Sequence, residues 1–223
     1  MKKRIALATG AVFCLTIAVV FYFPTSRYVV LGLINRERFE NGQSLSFWVH
    51  ALKDQDESAR EQAASALAQI SPDTQDIVPE LAQALKDPLP GVRVNAAFAL
   101  FKMGSEARLA VPELSVALKD EVPLVRMDAV LALRKMGASA KGAVPALIAA
   151  IQDEKNQRPP QHFYISVRQA AVDALGRIGP DARDAIPALK EVLGATEDPV
   201  LAEKAAEALK LIDPAAATKA GIH

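Results

Sequence analysis

Small and large apolar residues recur in the same order four times along this chain, at a spacing that a helix brings to one side. The arginines Arg60, Arg93, Arg126 and Arg168 serve as origins. Three residues on stand Ala63, Ala96, Ala129 and Ala171, and six on stand Ala66, Ala99, Ala132 and Ala174. Seven on come Leu67, Leu100, Leu133 and Leu175, and ten on come Ile70, Met103, Met136 and Ile178. At ~100° per residue all four positions share a face. Each set predicts an amphipathic helix whose small residues admit a close neighbour and whose large ones fill the seam. The helices predicted are Glu57–Ile70, Gly91–Met103, Pro123–Met136 and Tyr164–Ile178, with a fifth at Pro199–Ile212 that lacks the arginine. Gly104, Gly137 and Gly179 follow three of them and are expected to supply a left-handed C-cap.

A shorter apolar run precedes each of these helices. Pro79, Pro112, Pro145 and Pro187 follow an aliphatic residue and open the runs Val78–Leu85, Val111–Leu118, Val144–Ile151 and Ile186–Leu193. Proline suits the first helical position, where the missing N–H has no intrahelical partner. Ser44–Leu52, with Trp48, is the equivalent helix at the start of the array. The joints repeat almost letter for letter: Ala51-Leu52-Lys53-Asp54, Ala84-Leu85-Lys86-Asp87, Ala117-Leu118-Lys119-Asp120, then the looser Ala150-Ile151-Gln152-Asp153. Successive copies lie 33 residues apart. A fixed period of this size means stacked units of paired helices rather than one globular core.

The helix-opening prolines, the Leu-x-Asp joint and the arginine six residues after its aspartate resemble HEAT repeats, in the short bacterial form shared with phycobilisome-lyase-like proteins. The resemblance covers residues 44–213 and about five helix pairs. It implies an all-α solenoid, a right-handed superhelix whose second helices line the concave side. It also implies a structural ladder of charges between neighbouring repeats, drawn from Asp54, Arg60, Asp87, Arg93, Asp120, Arg126, Asp153 and Arg168. In the fourth repeat Asp153 and Arg168 are separated by an insertion of nine residues. In the last repeat Ala195 and Ala202 stand at the two positions, as expected if the charges act as a pair.

The N-terminus has a different pattern. Lys2, Lys3 and Arg4 precede an uncharged apolar run over residues 5–23. At ~1.5 Å per residue that run spans ~28 Å, close to the ~30 Å hydrocarbon core of a bilayer. A cleaved signal peptide has an apolar region of only ~7–15 residues and a small-x-small cleavage site. This run is longer and lacks that site, so an uncleaved signal anchor is expected over 1–23, with the N-terminus inside and the repeats outside a bacterial cytoplasmic membrane. Cleavage would instead give a secreted protein. Residues 24–43 read as a linker with a turn at Asn41-Gly42, and 214–223 as a C-terminal tail.

Charge and composition narrow the function. The 26 basic and 26 acidic residues balance, so no global pull on nucleic acid exists. Cys14 is the single cysteine and the three histidines are scattered, which leaves no metal-ligand spacing. Nucleophile elbows, phosphate-binding glycine loops and His-Glu pairs are all lacking. No catalytic residue, metal or cofactor is predicted. Candidate chemistry therefore lies at positions +1, +5 and +8, which point ~150–170° from the packed face. In the first, fourth and fifth repeats these are mostly polar. The central repeats carry Val94, Phe98, Phe101, Met127 and Leu131 instead. These five are predicted to form a partner-binding groove for a helix or extended peptide. Lys102, Lys135 and Arg177 make a thin basic line at +9, read as solvating. The sequence thus points to a membrane-tethered, non-enzymatic scaffold or adaptor for a protein partner. The alternative is a chaperone or bilin-lyase-like assistant holding a client or cofactor.

Overall fold

The computed structural model describes residues 39–40, 42–69 and 75–222. The anchor predicted over 1–23 and most of the linker lie outside the described residues. Among the described residues no helix is long and apolar enough to cross a membrane. Contacts divide the chain into two units, one ending at Ile70 and one running from Ser71 to His223.

The first unit opens with a two-strand hairpin, β1 (Phe39–Glu40) and β2 (Gln43–Ser44), registered as Phe39 with Ser44 and Glu40 with Gln43. Gly42 turns it at φ 76°, where the sequence placed a turn. Ser44 then caps helix α1 (Leu45–Ala51), its hydroxyl accepting the Phe47 N–H at 3.4 Å. Helix α2 (Glu57–Gln69) packs on α1. Leu45, Trp48, Ala51 and Leu52 are buried with Ala63, Ala66 and Leu67.

The second unit holds four helix pairs: α3 (Val78–Ala84) with α4 (Pro90–Met103), α5 (Val111–Ala117) with α6 (Pro123–Met136), α7 (Val144–Gln152) with α8 (Val167–Ile178), and α9 (Ile186–Ala195) with α10 (Pro199–Ile212). The second helices pack side by side in the order α4, α6, α8, α10, while each first helix packs on its own partner. The seam follows the sequence pattern. Ala96, Ala129 and Ala171 are fully buried, as are Leu100, Leu133 and Leu175. Short 3₁₀ segments, Gly104–Ala110, Gly137–Ala143 and Gly179–Ala185, carry the chain from one pair to the next.

Three local expectations change. Helix α8 begins at Val167 rather than Tyr164, because Ser166 and Gln169 form a reciprocal capping box that fixes the start. The glycines after α4, α6 and α8 have positive φ (59°, 55°, 74°) but ψ of −127°, −130° and −140°. That conformation is not left-handed helical and is more exclusive to glycine. The tail is ordered into helix α11 (Pro214–Lys219), capped by Asp213 and packed on α10 with Ala217 buried.

Candidate partner-binding face

The ladder sets the register of the repeats, and Arg93 and Arg126 each have two tasks in it. In the first unit Arg60 Nη1 donates to the carbonyls of Asp54 and Gln55 at 3.0 and 3.2 Å, tying the joint to α2. Arg93 repeats this with Asp87 and Pro88, at 3.0 and 3.1 Å. It also reaches the next repeat: Nε and Nη2 grip the Asp120 carboxylate at 2.7 and 3.1 Å. That bond to Asp120 raises the Arg93 pKa and keeps the buried guanidinium charged. The aspartates cap their own turns, Asp87 accepting from Leu89 N–H and Asp120 from Val122 N–H.

Beyond the third repeat the ladder changes composition. Arg126 still holds the carbonyls of Asp120 and Glu121, but its Nε donates to Asn156 at 2.8 Å rather than to Asp153. The insertion carries Asp153 into a turn with Lys155 N–H and brings Asn156, fully buried, into the rung. Arg168 makes no rung either, and its Nε is buried without a hydrogen-bond partner. Gln169 takes over, donating to Asp198 at 2.8 Å. In the last turn Thr196 accepts the Asp198 N–H, as the aspartates do elsewhere. The loss of Asp and Arg from the last repeat therefore does not end the ladder. A neutral amide replaces the arginine.

The five residues predicted for the groove separate into two sets. Phe98 is 40% exposed, and Phe101 and Val94 on the same helix are half-buried. Met127 is fully buried and Leu131 nearly so, so neither faces a partner. A helical wheel treats α6 as a cylinder with one packed side. In the structure α4 and α8 flank it on both sides and cover those positions. The apolar feature that remains is the pair Phe98 and Phe101 on α4, with ring centroids 6.1 Å apart.

The basic line is part of the packing rather than a solvating fringe. Lys135 Nζ donates to the Lys102 carbonyl at 2.8 Å, placing a cation at the C-terminal end of α4, where carbonyls lack partners. The same ammonium lies 5.3 Å from the Phe101 ring centre, and Lys102 Nζ lies 5.9 Å from that of Phe98. The Lys135 stem runs so close to Gly104 that a Cβ there would sit 3.0 Å from Cε. Further along, Asp173 accepts from Arg134 at 3.1 Å and from Arg177 at 3.0 Å, linking α6 to α8. Asp128, on α6, is 7% exposed, and burial pushes its carboxyl up to about 7. The repeat pattern carries no signal for it, since the other repeats have Gln62, Asn95 and Ala170 there.

Two other places differ from this face in their chemistry. The insertion projects Tyr164 wholly into solvent, and His162 takes φ 68° in it. In the first unit a cleft of about 690 Å³ is lined by Phe47, Trp48, Gln62 and Ser65, with the Gln43 amide oxygen buried and unpaired. Among the described residues no cluster of three metal-ligating side chains occurs.

With this geometry in place, the matches to known proteins are specific. The family profile of HEAT repeats matches residues 45–111 and 161–220, more than half of the chain. The chain belongs to the HEAT-repeat family. Residues 125–153 match the PBS lyase HEAT-like repeat. Among solved structures, these HEAT repeats are similar to the complex of CpcE and CpcF of phycocyanin lyase from Nostoc sp. PCC7120. The identity is 29%, the TM-score 0.60, and the match covers 80% of this chain and 70% of that one. A designed armadillo repeat protein in complex with a (KR)4 peptide matches at 20% identity and a TM-score of 0.59, over 76% and 82% of the two chains. An engineered protein matches at 22% identity and a TM-score of 0.57, over 79% and 85%. The last two share the fold alone. No curated protein sequence matches the chain.

Proposed function

We propose that this HEAT-repeat protein is a non-enzymatic scaffold that holds a protein partner on the face formed by α4, α6, α8 and α10. One observation carries the reading: Phe98, 40% exposed beside the half-buried Phe101, puts two adjacent aromatic rings on this face. An exposed aromatic of this size contributes roughly 1.5–3 kcal/mol when a partner covers it, and Lys102 and Lys135, beside the Phe98 and Phe101 rings, provide a polar rim. The apolar run 5–23 behind a basic start supports a tether in a bacterial cytoplasmic membrane, with the repeats on the periplasmic side.

The test is crosslinking in intact membranes. A photoreactive amino acid at position 101 is expected to capture one discrete protein, identified by mass spectrometry, while the same group at the exposed Val116 of α5 captures none of it. Equal capture at both positions would contradict the reading. The likeness to the phycocyanin lyase structure favours one second reading, an assistant that holds a client or bilin-like cofactor. Retention of a coloured small molecule by the purified full chain would favour that alternative.

A further inference from the structure

We infer that Arg168 is a binding point for a carboxylate carried by another molecule, which completes a rung for which this chain supplies no acid. The inference is independent of the reading at Phe98, because it concerns the joint that opens α8. The rung between Arg93 and Asp120 shows what the position requires. Nη1 takes two carbonyls of its own turn, and Nε with Nη2 takes both oxygens of a carboxylate from the next repeat. That carboxylate stands three residues before Pro123, the proline that opens the next second helix. Arg126 keeps the same division, with Asn156 as the acceptor for Nε.

Among the described residues Arg168 finds neither set of acceptors. Arg93 and Arg126 stand three residues after Pro90 and Pro123, the first residues of their helices. Arg168 stands one residue after Val167, because the capping box delays the start of α8. In the next repeat the place of Asp120 is taken by Thr196, three residues before Pro199. Its uncharged hydroxyl accepts the Asp198 N–H as Asp120 accepts that of Val122. Asp198 is itself engaged by Gln169 and by the N–H groups of Val200 and Leu201. Among the described residues Glu197, exposed at the place of Glu121, forms no ion pair with Arg168, and the first turn of α8 contains no acid. The result is a half-buried arginine whose Nε is buried without a partner. A buried charged donor left unbonded is costly, and a carboxylate meets the guanidinium fork in one plane. The approach is open: Gly194 and Ala195, just before Thr196, are exposed, and a Cβ on Gly194 would meet nothing within 4 Å. Phosphate fits less well, since Asp198 beside the position repels a second negative charge.

The test follows the Nε–H resonance of Arg168 in the full-length chain, held in detergent and isotope-labelled in its arginines. The resonance is assigned by its loss in Arg168→Met, with the fold of every variant verified by circular dichroism. The probes are acetyl-Ala-Asp-Ala-amide, the same peptide with asparagine, acetyl-Ala-Ala-Ala with a free carboxylate, and inorganic phosphate. The aspartate peptide is expected to move the resonance downfield and to saturate, binding at least about tenfold tighter than the asparagine one. A saturating response to either carboxylate supports the inference, and the tighter of the two identifies its source as a side chain or a chain end. Thr196→Asp should move the resonance the same way with no peptide present, abolish the titration and raise the melting temperature. That rise should vanish when Arg168→Met is combined with it. The inference is overturned if neither carboxylate moves the resonance, if phosphate binds more tightly than both, or if Thr196→Asp leaves the resonance in place. It is also overturned if Glu197→Gln alone shifts the resonance, because the acceptor would then be internal.

Discussion

At the scale of single residues, two buried charges behave in opposite ways. Arg93 is 8% exposed, and every face of its guanidinium is used: two bonds to Asp120, two to its own turn and one to Glu121 at 3.5 Å. Removing one partner of such a pair strands the other charge. Asp120→Ala should therefore destabilise the fold by about 2–4 kcal/mol in denaturant melts. Asn156→Ala, in the neighbouring rung with a neutral acceptor, should cost about half as much. Asp128 has burial without compensation. Its pKa rises from the ordinary 3.8 to about 7. Well below pH 3.8 the acid is neutral whether folded or unfolded, and no penalty exists. As pH rises through 3.8 toward 7 the unfolded chain ionises and the folded one resists, so stability falls; above 7 the loss is complete. Asp128→Asn should be more stable than the parent by about 2–4 kcal/mol at about pH 8 and close to equal to it at about pH 3. A constant difference across that range would contradict burial as the cause.

At the scale of elements, helix spacing is decided by what stands where two backbones meet. A Cβ on Gly176 in α8 would lie 3.0 Å from the Ala208 Cα of α10, backbone that cannot swing aside. Glycine to alanine inside a helix ordinarily gains about 1 kcal/mol, but overpacking costs about 1–3 kcal/mol, so Gly176→Ala should be net destabilising. Gly194, in α9, meets nothing within 4 Å, and Gly194→Ala should raise stability by about 0.5–1 kcal/mol. Thermal melts of the two variants should move in opposite directions. The prolines, the alanine–leucine seam and the Leu-x-Asp joints made the helix pairs legible in the sequence, because each reports a local requirement. The rungs formed by Asn156 and Gln169 were not legible. They depend on where the insertion carries the chain, which no spacing rule encodes. The burial of Met127 and Leu131 was missed for a related reason: a helix between two neighbours has two packed flanks, and periodicity within one helix shows only the seam.

At the scale of the whole molecule, the four helix pairs of the second unit draw their stability from neighbour-to-neighbour contacts, while recognition falls on a small area of them. Three of the five groove residues read from the sequence, Val94, Phe98 and Phe101, remain on an accessible helix, and the other two, Met127 and Leu131, became core. The apolar N-terminal run makes its own prediction. The full chain should stay with membranes after an alkaline wash, and a chain begun after residue 23 should be released. A mature protein whose first residue follows position 23 would instead establish export and cleavage. The central claim is that the α4 face holds a partner through Phe98. Its most direct measurement is affinity capture from detergent-solubilised membranes with the parent chain and with Phe98→Glu, both verified as folded by circular dichroism. The account predicts a protein retained by the parent and lost from Phe98→Glu. The same proteins retained by both would contradict it.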